Sequence, residues 1–480
     1  MPEYFTFLRD NSWKFSRFRG ENLDFFHVFW YKSFIMKRNL YNKLLEWKRS
    51  ESRKPLILKG PRQVGKTYIL KEFGKNEYPS TAYFNFEEDP TLKDFFTGRI
   101  QPDRIIEKLS IYYETKILPH KTLVIFDEVQ NSPKALTALK YFYENANRYH
   151  IAAAGSLLGL KVGHASPFPV GMVNFLNLYP LSFGEYLEAV GKLKLRQLLE
   201  NKKDFESLIP AFHDELIDHL KMYYFVGGMP EAVKQYVKQK DLKKVRRIHN
   251  DILTAYLQDF SKYSTKTEAI RITNTWNTIP TQLAKENKKF KYSEISKNAR
   301  ARDYYEAIQW LVDAGLVYKC RNIKTPKLPL SGYKEDNIFK LYLLDTGLLG
   351  AMLNLSARTI VEGNRLYSGY NGAFTENYVA QELMAGPLFE EVHLKELYYW
   401  TNNSAAEVDF IVHFKDGLFP LEVKAGISRR KTSLMVFGEK YSPSLLSRAT
   451  LRNFRQQENL CNYPLYAVAH FPILGSKVTC

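Results

Sequence analysis

The sequence predicts an α/β fold with a central parallel sheet, and three short apolar runs are the basis for this prediction. The first run, Leu56–Leu58, is followed by a glycine-rich loop and then a helical pattern. The second, Leu123–Phe126, ends in two acidic residues, and the third, within "YHIAAAGSLLG", ends in Gly155-Ser156. Short apolar runs that alternate with helical segments are typical of buried strands in a parallel sheet.

The loop after the first run carries the pattern Gly-x-x-x-x-Gly-Lys-Thr between a predicted strand and a predicted helix, Lys66–Phe73. In this context the loop amides and the helix N-terminus bind phosphate, Lys66 is expected to reach the β- and γ-phosphates, and Thr67 can hold Mg²⁺. ATP and Mg²⁺ are therefore the predicted cofactors. The predicted nucleotide contacts are Gly60, Pro61, Arg62, Gln63, Val64, Gly65, Lys66 and Thr67.

Polar residues that follow the other two runs complete this candidate site. Asp127 is expected to bind Mg²⁺, and Glu128 is expected to act as the general base on water. Ser156 is predicted to lie near the γ-phosphate at the end of the neighbouring strand. Two alternatives remain for these residues: an acidic pair can cap a helix, and Gly155-Ser156 can be an ordinary turn.

Length and charge set limits on the domain organisation and the partners. At 480 residues the chain is expected to form two to four domains. Its formal net charge of +18 favours nucleic acid, most of all DNA, over a membrane as partner, although a solvated basic surface is the alternative. The three dispersed cysteines, the lack of a long apolar run and the lack of a signal peptide predict a cytoplasmic protein.

The first 35 residues differ from the rest of the chain. They are rich in aromatic residues but show neither a helical period nor turn signals, and a second methionine, Met36, opens a helical pattern. We expect residues 1–35 to be a non-native or disordered extension.

Five motifs together resemble the bacterial and archaeal AAA+ ATPases that carry a C-terminal domain of unknown function. In order, these motifs are "RKPLILKGPRQVGKT", "LVIFDEVQ", "AAAGSLLG", "LYPLSFGEYLEA" and "YFVGGMPEAV". The resemblance implies an ATP-hydrolysing AAA+ core at 36–190, a helical lid at 191–265 and assembly into a homo-oligomer. Members of this family usually have a basic residue where this chain has Met172, so we assign no arginine finger.

Residues 266–350 resemble a winged helix. Within them, "KYSEISKNARARDYYEAIQWLVDAGLVYKC" predicts a short helix, a turn, a longer helix and a strand that begins near Leu316. Lys297, Arg300 and Arg302 precede or open the longer helix, where a recognition helix contacts DNA. The alternative is a structural module, since the apolar residues of this helix also form an ordinary core face.

Residues 351–480 resemble PD-(D/E)XK nucleases, an α/β fold. Asp409 interrupts an apolar strand, and Glu422 and Lys424 lie on one face of the next strand. The resemblance implies that Asp409 and Glu422 bind a second Mg²⁺ or Mn²⁺, supported by Glu376 on an upstream helix. It also implies that Lys424 orients or activates the attacking water or stabilises the pentacoordinate phosphate. The alternative is a buried ionic network in a domain that does not cut.

The sequence therefore predicts a protein that binds and hydrolyses ATP and acts on nucleic acid. Because the C-terminal domain resembles a nuclease, metal-dependent phosphodiester cleavage is also predicted for it. The other hypothesis is a nucleotide-controlled binding or scaffold protein with a catalytically silent nuclease-like domain.

Overall fold

The computed structural model describes residues 36–155, 169, 171–262, 264–285, 288–362, 368–386, 396–402, 406–425 and 432–472. The segment Lys37–Cys480 belongs to one compact unit. The predicted extension at 1–35 and the predicted nucleotide contact Ser156 both lie outside the described residues.

A five-stranded parallel sheet forms the first layer of the fold. Its strands are β1 (Leu56–Lys59), β2 (Ser80–Asn85), β3 (Thr122–Asp127), β4 (His150–Ala154) and β5 (Asn174–Asn177). They lie in the order β2-β3-β4-β1-β5, and every neighbouring pair is parallel. Because parallel strands end at one edge, the residues that follow β1, β3 and β4 are brought together there.

Helices and an aromatic core cover this sheet. The helices are α1 (Leu40–Arg49), α2 (Lys66–Glu77), α3 (Pro102–Tyr112) and α4 (Pro133–Ala146). Phe126 of β3 is fully buried and packs against Phe86, Phe96 and Phe142 with ring centroids 5.6–6.5 Å apart. The predicted α/β core with a phosphate loop is thus confirmed.

Five helices follow the parallel sheet. They are α5 (Phe183–Ala189), α6 (Leu193–Glu200), α7 (Pro210–Val226), α8 (Pro230–Gln239) and α9 (Leu242–Lys262). Ser182 and Glu185 form a reciprocal capping box that fixes the start of α5. The residues predicted to form a helical lid are therefore largely helical, and their role as a lid stays a prediction. No helix within the described ranges is long and apolar enough to cross a bilayer.

The next segment contains two helices and two antiparallel strands. They are α10 (Lys266–Leu283), α11 (Ala301–Asp313), β6 (Val317–Ile323) and β7 (Lys334–Leu343). Trp276 of α10 is 1% exposed and packs edge-on against Tyr256 and Phe260 of α9. This aromatic contact fixes the segment to the preceding helices.

In the described residues from 346 onward, the C-terminal part adds six strands and four helices. They are α12 (Thr346–Met352), α13 (Ala357–Glu362), α14 (Ser368–Ala385), β8 (Leu397–Thr401), β9 (Glu407–Phe414), β10 (Gly417–Val423), α15 (Thr432–Tyr441), β11 (Leu446–Thr450), β12 (Arg455–Gln457) and β13 (Leu460–Pro464).

One eight-stranded sheet joins the last two segments, in the order β12-β13-β11-β10-β9-β8-β6-β7. The two segments are joined by the parallel pair of β6 and β8, where Cys320 lies opposite Leu397. The strand predicted near Leu316 and the strand paired with it, β6 and β7, are therefore also the edge of the sheet that carries Asp409 and Glu422. The predicted domain division between 350 and 351 stays a prediction, and this sheet runs across it.

Candidate nucleotide-binding site and C-terminal ionic cluster

The phosphate loop connects β1 to α2, and two of its glycines are required by the backbone. Gly65 has φ 93°, in the left-handed region that glycine adopts without strain. A Cβ at Gly60 would lie 2.3 Å from the carbonyl oxygen of Leu178, so a side chain has no space there. The loop conformation thus depends on the glycine positions of the sequence motif.

Lys66 lies inside the loop. Its Nζ donates to the carbonyl oxygens of Gly60 at 2.9 Å and Pro61 at 2.7 Å, and the residue is 7% exposed. Burial lowers the pKa of Lys66 to about 8, although the negative charges of Glu128 and Asp127 oppose this shift. A phosphate oxygen that replaced one of the carbonyls would give this ammonium a charged partner.

Asp127 ends β3 and is the centre of a small hydrogen-bond network. Its Oδ2 accepts from Thr67 Oγ1 at 2.6 Å and from Tyr83 Oη at 2.8 Å. Its Oδ1 accepts from the backbone N–H of Glu128 at 3.0 Å. A threonine hydroxyl and a carboxylate side by side are the oxygen ligands that Mg²⁺ prefers, so Thr67 and Asp127 fit this ion. Tyr83, which the sequence motif did not reveal, orients the carboxylate.

Glu128 follows β3 in a left-handed conformation, with φ 50°. Its Oε2 accepts a hydrogen bond from Gln130 Nε2. The oxygen of the same Gln130 amide, Oε1, lies close to Gly155 at the end of β4, since a Cβ added to Gly155 would be 2.6 Å from it. The end of β4 and the predicted general base are therefore linked through Gln130, a residue that sequence reasoning missed.

Arg62 connects the loop to the helices after the sheet. Its Nη1 forms an ion pair with Asp259 of α9 at 2.5 Å, and its carbonyl oxygen accepts from Tyr256 Oη at 3.1 Å. A Cβ at Gly65 would lie 3.7 Å from the ring of Pro230, the first residue of α8. Thus α9 contacts the loop and α8 begins next to it, although no sequence motif indicated Tyr256 or Asp259.

Two buried carboxylates join these helices to the C-terminal part. Asp345 caps α12, and its Oδ2 accepts from the backbone N–H of Gly228 at 2.5 Å. Glu382 of α14 accepts from the backbone N–H of Phe183 at 2.8 Å. Burial raises the pKa of Asp345 to about 6 and that of Glu382 to about 8. The Gly-Gly turn before α8 is therefore held by a side chain from beyond the helical segment.

The structure brings together the four residues predicted for the C-terminal site. Glu376 lies on α14, Asp409 on β9 and Glu422 on β10, and they are 6%, 7% and 3% exposed. Glu422 Oε1 is 3.0 Å from Lys424 Nζ, and Asp409 Oδ2 accepts from the backbone N–H of Val423 at 2.8 Å. Although burial opposes it, the charges of Glu422 and Asp409 raise the pKa of Lys424.

Two further lysines enter this cluster, and the sequence reasoning did not identify them. Lys340 Nζ lies 2.6 Å from Glu407, 3.4 Å from Glu376 and 3.7 Å from Asp409. Lys288 forms a second ion pair with Glu376. Lys340 interrupts the apolar strand "NIFKLYLL", which is the same signal that singled out Asp409; Lys288 has no such signal.

The ionic contacts decide the charge of each carboxyl group. Burial would raise the pKa of Glu376, but Lys288 and Lys340 outweigh it and lower this pKa to about 2. Burial and the charge of Glu376 raise the pKa of Asp409, against the opposing effect of Lys340. The lysine contacts thus favour the anionic form of Glu376, whereas burial favours the protonated form of Asp409.

The residues of this cluster do not fit a second Mg²⁺ or Mn²⁺. Within the part of the chain that the structure describes, no three His, Cys, Asp or Glu side chains are arranged to hold a metal ion. The oxygens of Glu376 instead accept from Lys288, Lys340 and Tyr342. We therefore derive no reaction through a metal at this cluster.

Three family matches follow one another along the chain. Residues 52–187 match the AAA domain family, which supports an AAA-type P-loop ATPase core and the predicted ATP ligand. Residues 217–359 match the family described as domain of unknown function DUF8612, and residues 371–468 match domain of unknown function DUF4143.

Two curated relatives carry no assigned activity in their names. An uncharacterised protein of Methanocaldococcus jannaschii is 24% identical over 210 residues, which cover 41% of this chain and 42% of that protein. The chain thus spans less than half the length of this relative. An uncharacterised protein of Mycobacterium tuberculosis is 24% identical over 400 residues, which cover 81% of this chain and 75% of that protein.

Two solved structures also align with the chain. A Walker-type ATPase of Pyrococcus abyssi aligns with a TM-score of 0.43 and 15% identity, over 66% of this chain and 96% of that protein. The Holliday junction branch migration motor RuvB of Thermotoga maritima aligns with a TM-score of 0.30 and 15% identity, over 60% of this chain and 90% of that protein.

Proposed function

We propose that this chain binds ATP at Gly60–Thr67, hydrolyses it, and uses the nucleotide cycle to control a basic surface that binds nucleic acid. The observation that carries the first part is the buried Lys66 in a glycine-shaped loop, next to the hydrogen-bonded pair of Thr67 and Asp127. The match of residues 52–187 to the AAA domain family supports it.

Each residue has a defined task in this proposal. Lys66 binds the β- and γ-phosphates, and Thr67 and Asp127 hold Mg²⁺, which neutralises phosphate charge when it is bound. Glu128 accepts a proton from the attacking water. Ser156 contacts the γ-phosphate in this proposal. Arg62 contacts either a phosphate of the same chain or a second copy in a homo-oligomer.

In this proposal, the helical lid transmits the effect of nucleotide binding to the rest of the molecule. Arg62 contacts α9, the loop glycine Gly65 lies next to the start of α8, and Asp345 ties the turn before α8 to α12. A nucleotide phosphate close to Arg62 would compete with Asp259 for the ion pair with the Arg62 guanidinium. We infer that ATP binding shifts α9 and that hydrolysis restores its contact with the loop.

The nucleic-acid part of the proposal is supported by the start of α11. Lys297, Arg300 and Arg302 are all exposed there, and the side chain of Arg302 is 76% exposed. The formal net charge of +18 adds a long-range attraction for phosphates. We propose DNA as the partner and α11 as the helix that faces it.

The variant in which Lys297, Arg300 and Arg302 are all changed to alanine should bind duplex DNA more weakly than the wild type. The slope of log Kobs against log salt concentration should become shallower by about 0.9 for each phosphate that the variant no longer neutralises, because fewer counterions are released. Fluorescence anisotropy with labelled DNA at several salt concentrations measures this change.

A second triple variant, with Lys108, Lys116 and Lys121 changed to alanine, removes the same charge from exposed positions of the AAA-type core. It should keep the wild-type slope. Equal slopes for both triple variants and the wild type would refute α11 as the contact surface, and an affinity that salt does not change would refute phosphate contacts altogether.

For the C-terminal domain, the lysine contacts favour the proposal of a nuclease-like domain that binds without cutting. Cleavage would need Asp409 and Glu422 to share a divalent ion, with Glu376 in support and Lys424 at the attacking water. The distances to Lys340 and Lys288 describe an ionic network in the place of such a site.

Purified protein incubated with single- and double-stranded DNA and RNA should therefore produce no cleavage with Mg²⁺ or Mn²⁺, whether or not ATP is present. Gel electrophoresis of labelled substrates measures this. Cleavage that disappears in both Asp409→Ala and Lys424→Ala would contradict the binding interpretation and support an ATP-controlled nuclease. Cleavage that persists in both variants would indicate a contaminating nuclease.

A further inference from the structure

Among the residues that the structure describes, the C-terminal cluster contains four carboxylates and three lysines, each of which forms at least one ion pair. The carboxylates are Glu376, Glu407, Asp409 and Glu422, and the lysines are Lys288, Lys340 and Lys424. Buried charges persist when they are paired, and each of these acids has a lysine within 4 Å. The cluster is therefore almost neutral without any added ion.

Lys340 holds the central position in this cluster. It is 1% exposed and contacts three of the four acids, whereas Lys288 contacts Glu376 and Lys424 contacts Glu422. Lys340 lies on β7, three strands away from β9, which carries Asp409. Its ammonium group reaches the acids next to the ring of Tyr399, whose centroid is 4.9 Å away.

The surroundings of Lys340 hold it in the charged form. Burial alone would lower its pKa, but Glu376 and the other acids around it raise this pKa well above the usual value for lysine. Tyr342, on the same strand, donates to the same Glu376 oxygen as Lys340, which fixes that carboxylate. An ammonium in this position carries the positive charge that a bound cation would otherwise supply.

We propose that Lys340 is a built-in cation that takes the place of a divalent metal between Glu376 and Asp409. Glu376 and Asp409 offer carboxylate oxygens, the ligand type that Mg²⁺ and Mn²⁺ prefer, but the Lys340 ammonium lies beside both of them. A divalent ion and the Lys340 ammonium repel each other, so the two do not share the same acids. This proposal concerns the C-terminal cluster and does not depend on ATP hydrolysis by the loop.

Lys340→Met tests the proposal, because it keeps the length and apolar stem of the side chain and removes the charge. Electron paramagnetic resonance of free Mn²⁺, titrated with nucleotide-free protein, gives the number and affinity of bound ions. The variant Asp409→Asn gives the amount of Mn²⁺ that binds elsewhere in the chain. The wild type should bind no more Mn²⁺ than this variant. Lys340→Met should bind one Mn²⁺ per chain more than the wild type.

Two controls define the site. The double variant with Lys340→Met and Asp409→Asn should lose the gained ion, and Lys327→Met, which removes a lysine charge at an exposed position, should behave like the wild type. Either of two results would overturn the proposal: wild-type Mn²⁺ binding that Asp409→Asn abolishes, or a folded Lys340→Met that binds no more Mn²⁺ than the wild type. If Lys340→Met does not fold, the comparison of wild type with Asp409→Asn alone decides.

Discussion

Lys66→Ala should abolish ATP binding at working concentrations, with a loss of affinity of roughly 100-fold or more. The reason is that a hydrogen bond from a charged group contributes about 1.5–3 kcal/mol, and Lys66 is expected to contact two phosphates. Alanine also leaves the carbonyl oxygens of Gly60 and Pro61 without their present donor. Isothermal titration calorimetry with ATP and Mg²⁺ measures the change.

Lys75→Ala provides the matched control, because Lys75 is exposed near the end of the same helix. It should bind ATP like the wild type. The pH adds an independent reading: the pKa of Lys66 is about 8 in the free protein, so wild-type affinity should fall as the pH rises above this value. Unchanged affinity in Lys66→Ala would show that the loop is not the nucleotide site.

Glu128→Gln should bind ATP normally and hydrolyse it roughly 100- to 10,000-fold more slowly, the range over which general bases contribute. Glutamine has the same shape and still offers an oxygen to Gln130 Nε2, so the loop geometry is preserved. The hydrogen-bonded pair of Thr67 and Asp127, at which we propose that Mg²⁺ binds, is unchanged in this variant. A phosphate-release assay at saturating ATP measures the rate, and calorimetry confirms the binding.

Glu88→Gln, which makes the same chemical change at an exposed residue after β2, should hydrolyse ATP at the wild-type rate. A wild-type rate in Glu128→Gln would remove Glu128 as the base. Glu128→Gln should also keep the protein in its ATP-bound state, so it is the variant in which to measure nucleic-acid binding by that state.

The two sites differ in how much of them could be predicted from sequence. Gly60–Thr67 is a single local motif, and the structure gives it the expected strand-loop-helix geometry. Asp127 was predicted from the apolar strand that it ends, and it does lie beside Thr67. Tyr83 and Asp259 carry no motif, since their contacts depend on strand register and on the packing of α9 against the loop.

At the C-terminal cluster, sequence patterns identified the four residues that resemble a nuclease site but missed the residue that decides their chemistry. Glu422 and Lys424 are two positions apart in one strand, so their pairing follows from strand geometry. Lys340 is 69 positions before Asp409, and only the order of strands in the sheet brings the two side chains within 3.7 Å.

The sequence by itself therefore determined the α/β class, the phosphate loop and the position of its partner acids, because short-range periodicity and contiguous motifs encode them. The tertiary structure alone decided that the hairpin of β6 and β7 joins the C-terminal sheet and that Lys340 and Lys288 occupy the acidic cluster. The physical reason is that the charge of a buried carboxylate depends on whichever side chains fold against it, and these come from segments far apart in the chain.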